Sequence, residues 1–212
     1  FLYVFSTLPP KKSTIIEKLP KIYFLKKNFE ICHMDERNLF DRPKPAAVAV
    51  HLFAIQGQFH FILIERSKYE GQHSGQIALP GGKPEETDPD LLFTARRESC
   101  EEIGIDVVKG TFLRRLSTVY IPVSGFEVNP FVIFHDAPPH LEQNFREVAN
   151  IFLVPTTDLL NANNRQLQHI ELPNGMILKD QPCFILKEKV VWGATAKILD
   201  ELGFLLSNDL LF

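Results

Sequence analysis

The sequence predicts a mixed α+β sandwich. Three observations predict it. Strand-like segments lie both before and after one carboxylate-rich helix, turn signals join them as hairpins, and an amphipathic helix closes the chain.

The elements follow in chain order. Residues 12–40 show apolar residues at helical spacing, interrupted by Pro20. Residues 41–45, DRPKP, form a turn-rich boundary. The chain therefore divides into a helical N-terminal extension over 1–44 and the sandwich over 45–212. The extension either packs on the core or serves as a dimer arm. From Ala46 the segment AAVAVHLF reads as a buried strand, Gln56-Gly57 as a hairpin turn, and FHFILIE as its partner. His51 and His60 fall inside these strands and are expected to be packed or rim side chains. A polar loop leads through His73 to a short strand, QIALP, ending in Gly81-Gly82.

The next helix is expected to be capped by Thr87 or Asp88, with Pro89 in its first turn. Leu91, Leu92 and Ala95 form its apolar stripe, and Gly104 sits where a left-handed terminator belongs. Residues 107–115 and 116–123 read as strands with a turn at Gly110. FEVNPFVIFH is another strand, whose Pro130 points to an edge or a bulge. Residues 136–145 form an acidic loop. Glu147 opens the strand EVANIFLVP, and Thr156, Thr157 and Asp158 cap a short helix. Asn174-Gly175 and the region of Lys187-Glu188 signal two further hairpins. Trp192 to Thr195 open the last helix, expected to end near Gly203.

Bulk composition narrows the function classes. A chain of 212 residues with 45% hydrophobic content supports a real core. Its 18 Phe predict an aromatic-dominated interior. A net charge of −3 and the lack of a basic run argue against a nucleic-acid binder. No apolar run is long enough for a membrane helix. Residues 1–10 are apolar but short, without a basic start, and do not read as a signal peptide. Three separated Cys, at 32, 100 and 183, fit a reducing, cytoplasmic location. Cys100 reads as a small helix residue.

The chemistry concentrates in residues 81–105, GGKPEETDPDLLFTARRESCEEIGI. Glu98, Glu101 and Glu102 stand at i, i+3 and i+4, so they share a helix face and repel one another. The plain alternative is a solvated acidic face. Oxygen-only ligands would select a hard cation, Mg²⁺ or Mn²⁺. Arg97 can offset part of the charge through Glu101.

This stretch resembles the Nudix box, in which a Gly, an acidic residue, Arg-Glu, Glu-Glu, and a Gly followed by an aliphatic residue recur at set spacing. Gly82, Arg97, Glu98, Glu101, Glu102, Gly104 and Ile105 match. Asp88 stands where the first Glu is expected, one extra residue precedes Arg97, and Ser99 replaces an aliphatic residue. The longer lead resembles the coenzyme A diphosphatase branch. So do FILIERS at 61–67, HSGQIALPGG at 73–82, GFEVNPFV at 125–132, EVANIFLVP at 147–155 and VWGATAKIL at 191–199.

The resemblance implies a Nudix α/β/α sandwich with a mixed sheet, and metal-dependent hydrolysis of a diphosphate linkage in a small nucleoside diphosphate derivative. The implied substrate is coenzyme A or acyl-CoA. ADP-ribose, NADH or an oxidised dNTP stays open, as does an inactive ligand sensor. Glu98 and Glu102 are the leading metal ligands, with the Gly82 carbonyl. Glu101 is a third ligand or the base. Arg97 orients the glutamates, and Glu147 is a further carboxylate near the metal or the water. Arg66, Ser67, His73, Gly81 and Lys83 are candidate substrate contacts. A homodimer is left open.

Overall fold

The computed structural model describes residues 43–67, 75–172 and 175–211. The helical extension expected before residue 43 therefore lies outside the described residues, as do His73 and Asn174.

Strand β1 (Lys44–Ile55) begins inside the expected boundary segment and runs through the centre of an eight-stranded mixed sheet. Gln56 and Gly57, both at positive φ, turn it antiparallel into β2 (Gln58–Arg66). The two strands then splay apart. Into the gap come two short strands, β3 (Ile77–Ala78) along β2 and β4 (Gly81–Gly82) along β1. On the other side of β1 lies β7 (Phe126–His135), parallel to it, with Lys44 opposite Phe126 and Phe53 opposite His135. Strands β5 (Thr111–Arg115) and β6 (Val119–Ile121) add antiparallel to β7, and β8 (Val148–Pro155) adds antiparallel to β2. A three-stranded sheet follows, β9 (Arg165–Glu171), β10 (Ile177–Leu186) and β11 (Lys189–Trp192). The helices are α1 (Leu91–Ile103), α2 (Thr156–Leu160) and α3 (Gly193–Ser207), with one 3₁₀ turn at Ala162–Asn164.

Alternation along the strands assigns the layers. Ala47, Ala49, Phe131 and Ile133 meet Ala95, Leu91 and Leu92 of α1 on one face. Val50, Leu52, Phe61, Leu63 and Val132 join Ile198, Leu199 and Leu202 of α3 on the other. The result is an α/β/α sandwich. Each fully buried side chain of this kind contributes roughly 1.5–3 kcal/mol.

The interior is aliphatic rather than aromatic. Ile, Leu and Val fill most of it, while Phe112, Phe145 and Phe204 are exposed. Small Ala on both sides of the α1 interface lets the helix approach the sheet closely, with Phe131 as the aromatic ring of that cluster.

Several local expectations are corrected. The cap of α1 is Asp90, whose carboxylate accepts from Phe93 N–H at 2.7 Å. Pro89 therefore precedes the helix. Helix α2 contains Thr156, Thr157 and Asp158 and has no side-chain cap. Residues 107–110 form a loop, and the strand expected over 116–123 is only Val119–Ile121. Strand β7 is interior, yet the Pro130 expectation holds in part. Its carbonyl accepts from Leu116 N–H at 2.9 Å where β5 gives way to β6, so the missing N–H falls at that break. Helix α3 runs past Gly203 to Ser207, because that glycine packs beside Arg165, Leu159 and Leu160 instead of ending the helix. Lys187 and Glu188, both at positive φ, do form the last hairpin turn. Among the described residues no helix is long and apolar enough to cross a membrane.

Candidate active site

The site forms where α1 lies against the glycine pair. Gly81 is held by β1 at φ +151°, a conformation open only to glycine, and a Cβ there would strike Ala47 O at 2.2 Å. Its N–H donates to Glu102 Oε2 at 2.9 Å. A Cβ on Gly82 would lie 2.4–2.5 Å from the Glu98 carboxylate. The turn thus gives one carboxylate a backbone donor and leaves the other a space that a side chain would fill.

Glu102 is 1% exposed. Burial pushes its carboxyl up to about 7, against the pull of Arg66 and the Gly81 N–H, and the charges of Glu98 and Glu147 raise it further. Arg66 Nη1 lies 3.3 Å from its Oε1. The Glu98 carboxyl is also raised, by burial first and then by Glu101 and Glu147 against Arg97.

Arg97 is the hub of the acidic face. It donates through Nε and Nη2 to both Asp88 oxygens at 3.0 and 3.1 Å, to Glu98 Oε1 at 3.1 Å, to Glu101 Oε2 at 3.0 Å and to Lys83 O at 2.9 Å. The guanidinium holds the Asp88 carboxyl down to about 2. Asp88, expected as a helix cap, is instead the anchor of Arg97. It also accepts from Thr94 Oγ1 and from Glu85 N–H.

Glu147 comes from the turn before β8. Asn144 organises that turn, its carbonyl accepting from Glu147 N–H and Val148 N–H at 3.0 and 2.8 Å. The Asn144 and Glu142 N–H groups cap the last carbonyls of α1, at Glu102 and Ile103. The end of α1 and the position of Glu147 are therefore set by one loop. Gly104, at φ +74°, lets it approach, since a Cβ there would lie 2.7 Å from Glu142 Cβ.

A NUDIX domain model matches residues 42–172. The chain belongs to the Nudix hydrolase family. This Nudix chain is 32% identical over 161 residues to the human (Homo sapiens) protein named mitochondrial coenzyme A diphosphatase NUDT8, covering 75% of this chain and 68% of that one. It is 36% identical over 168 residues to Nudix hydrolase 15, mitochondrial, of Arabidopsis thaliana, covering 74% and 57%. A crystal structure from Listeria monocytogenes, described as that of a candidate NUDIX hydrolase, superposes with a TM-score of 0.51 at 15% identity, over 78% of this chain and 96% of that one. That likeness bears on the fold.

The Nudix fold brings together most of the predicted site. Glu98, Glu102, Gly81, Gly82, Arg97 and Arg66 meet directly, and the Glu147 charge reaches both Glu98 and Glu102. Glu101 stands to one side with its side chain 49% exposed, beside a polar hollow lined by Cys100, Glu142 and Asn144. Arg66 engages Glu102, where a phosphate contact was expected. Ser67 Oγ donates to Phe145 O at 3.3 Å and its N–H to Glu147 O at 2.8 Å, so Ser67 also fixes the Glu147 turn. The Lys83 ammonium lies 5.3 Å over the Phe126 ring. Sequence reasoning missed Asp88 as a partner of Arg97, and missed Asn144. Asn144, a turn-forming residue three positions before Glu147, was a usable signal for the second.

Nudix hydrolases generally use divalent metal ions. Among the described residues, no three His, Cys, Asp or Glu side chains already converge as a cage. The donor chemistry nonetheless fits a hard cation. Two carboxylates are raised by burial and by the charges of neighbouring glutamates, and Gly82 lets the Glu98 carboxylate lie directly against the backbone of the turn.

Proposed function

We propose that this chain hydrolyses the diphosphate of coenzyme A or an acyl-CoA, giving 3′,5′-ADP and (acyl-)4′-phosphopantetheine with Mg²⁺ or Mn²⁺. The observation that carries the reading is the meeting of Glu98 and Glu102 at the glycine pair, with Glu147 charge nearby. The substrate rests on the longer box and on relatives named coenzyme A diphosphatase.

Glu98, Glu102 and the Gly82 carbonyl would hold the metal, with Glu101 as a further oxygen. Bound there, a divalent ion neutralises phosphate charge and acidifies water. Arg97, anchored by Asp88, holds Glu98 toward the glycine pair and pairs with Glu101 beside it. Arg66 and the Gly81 N–H keep Glu102 ionised once a cation is present. Glu147, exposed at the rim, is the candidate proton acceptor for the attacking water. The 3′-phosphate of coenzyme A calls for a cation, and Lys83, next to the glycine turn, would supply it.

The test compares kcat/KM for coenzyme A, dephospho-coenzyme A, ADP-ribose, NADH and an oxidised dNTP, with each metal in turn. Coenzyme A should lead, and Lys83→Ala should erase its advantage over the dephospho form. A lead of about tenfold or more for ADP-ribose or the dNTP defeats the substrate assignment.

A further inference from the structure

Ser99 follows Glu98 on α1 yet faces the sheet, fully buried. Its hydroxyl donates to Ala95 O at 2.7 Å. Its oxygen is therefore the acceptor for His51 Nε2, 2.9 Å away on β1. With its proton on Nε2, His51 accepts at Nδ1 from His135 Nε2 of β7, also at 2.9 Å. His51 and His135 are 1% and 5% exposed. Burial, then the paired ring and Arg96 for His51, and burial and Arg96 for His135, hold both imidazoles below the usual histidine range. The neutral tautomers this geometry needs are thus the ones present at neutral pH.

This polar chain replaces apolar packing at a particular place. Beside Ser99, Ala95 packs in one cluster with Ala47, Ala49, Phe131 and Ile133, and Leu91 and Leu92 pack against it. Apolar packing is non-directional and does not by itself fix one rotation of the helix about its axis. With side chains a helix is about 5–6 Å in radius, so a rotation of about 10° moves a side-chain tip by about 1 Å. A displacement of about 1 Å can cost about 10²-fold in rate. A hydrogen bond from the sheet to Ser99 resists it, because rotation would leave a buried donor unpaired.

We infer that His51, itself held by His135, is a positioning residue that sets the axial rotation of α1 through Ser99, and with it where Glu98 and Glu102 stand against the glycine pair. The inference rests on those two glutamates being the working carboxylates.

The test uses His51→Leu, Ser99→Ala, their double, and His51→Gln, whose amide nitrogen can stand where Nε2 stands. Three quantities are read well below each variant's unfolding midpoint: Mn²⁺ affinity by titration without substrate, kcat, and KM. Each of the first two variants should weaken Mn²⁺ several-fold and lower kcat by about 10- to 100-fold with KM little changed. The double should be no worse than the poorer single, since both remove one interaction. His51→Gln should stay near the parent. If all variants melt earlier but keep parental Mn²⁺ affinity and kcat, the cluster is structural only and the inference fails. It fails equally if His51→Gln is as damaged as His51→Leu. Should His51→Leu not fold, Ser99→Ala, which leaves both rings in place, decides. A parent protein that takes up no Mn²⁺ defeats the metal reading instead, and the kcat comparison then decides this one.

Discussion

Glu102 carries the greatest conflict of any side chain in the site. Its carboxyl, ordinarily near 4.5, is pushed to about 7 by burial. A raised acid costs stability as pH rises from the ordinary value to the folded one, here roughly 3 kcal/mol by pH 8. Glu102→Gln keeps the shape and can still accept from Gly81. We expect kcat to fall by at least ~10²-fold, while the metal-free unfolding midpoint at pH 8 does not fall. An active Glu102→Gln enzyme would remove Glu102 from the site. At this scale the sequence was legible where chemistry is local. Three glutamates at helical spacing had to repel one another, and Arg97 had to answer them. Asp88 reaches Arg97 across nine residues, and His51 reaches Ser99 across 48. No local pattern encodes either pair. The box departures at 88 and 99 mark both positions, but only the fold supplies their partners.

At the scale of the element, the glycine turn is where backbone and chemistry separate. Gly81 and Gly82 are adjacent, yet a Cβ meets different things at each. At Gly81 it strikes backbone, Ala47 O at 2.2 Å and Val48 Cα at 2.6 Å, at a φ that side chains avoid. At Gly82 it meets only the end of the Glu98 side chain. Gly81→Ala should therefore disrupt the fold, by several kcal/mol through overpacking and strain. Gly82→Ala should melt close to the parent and lose activity, because Glu98 must move aside. Equal unfolding midpoints for the two variants would contradict this division. Turns at Gln56-Gly57, Gly104 and Lys187-Glu188 were readable because φ is a local property. The α1 cap and the end of α3 were not. Asp90 competes with Thr87 and Asp88 for the same role, and Gly203 is explained only by what packs against it.

For the whole molecule, a mixed α+β sandwich was legible from strand-helix order and its α/β/α layering from the family resemblance, while the splay that admits the two short strands was not, since it depends on which strands neighbour β1. That arrangement buries titratable groups of opposite pH behaviour in one domain, which makes metal and pH readable together. His51 and His135 are lowered, so stability falls as pH drops from about 6.5 toward their folded values, by up to about 1.4 kcal/mol per pH unit each. Glu102 acts oppositely between its ordinary 4.5 and about 7. In EDTA the two effects oppose each other below pH 6.5. A cation at Glu98 and Glu102 needs both ionised, so it competes with protons at pH 6 and far less at pH 8. Mn²⁺ at about 100 times its dissociation constant should add about 2.7 kcal/mol at pH 8, a rise of roughly 5–10 °C for a domain of this size. The same Mn²⁺ concentration should add clearly less at pH 6. Thermal unfolding at the two pH values, with Mn²⁺ and with EDTA, measures this directly. Midpoints that ignore Mn²⁺ at pH 8 would show that these carboxylates hold no metal, and a larger rise at pH 6 than at pH 8 would show that Glu102 is not among its ligands.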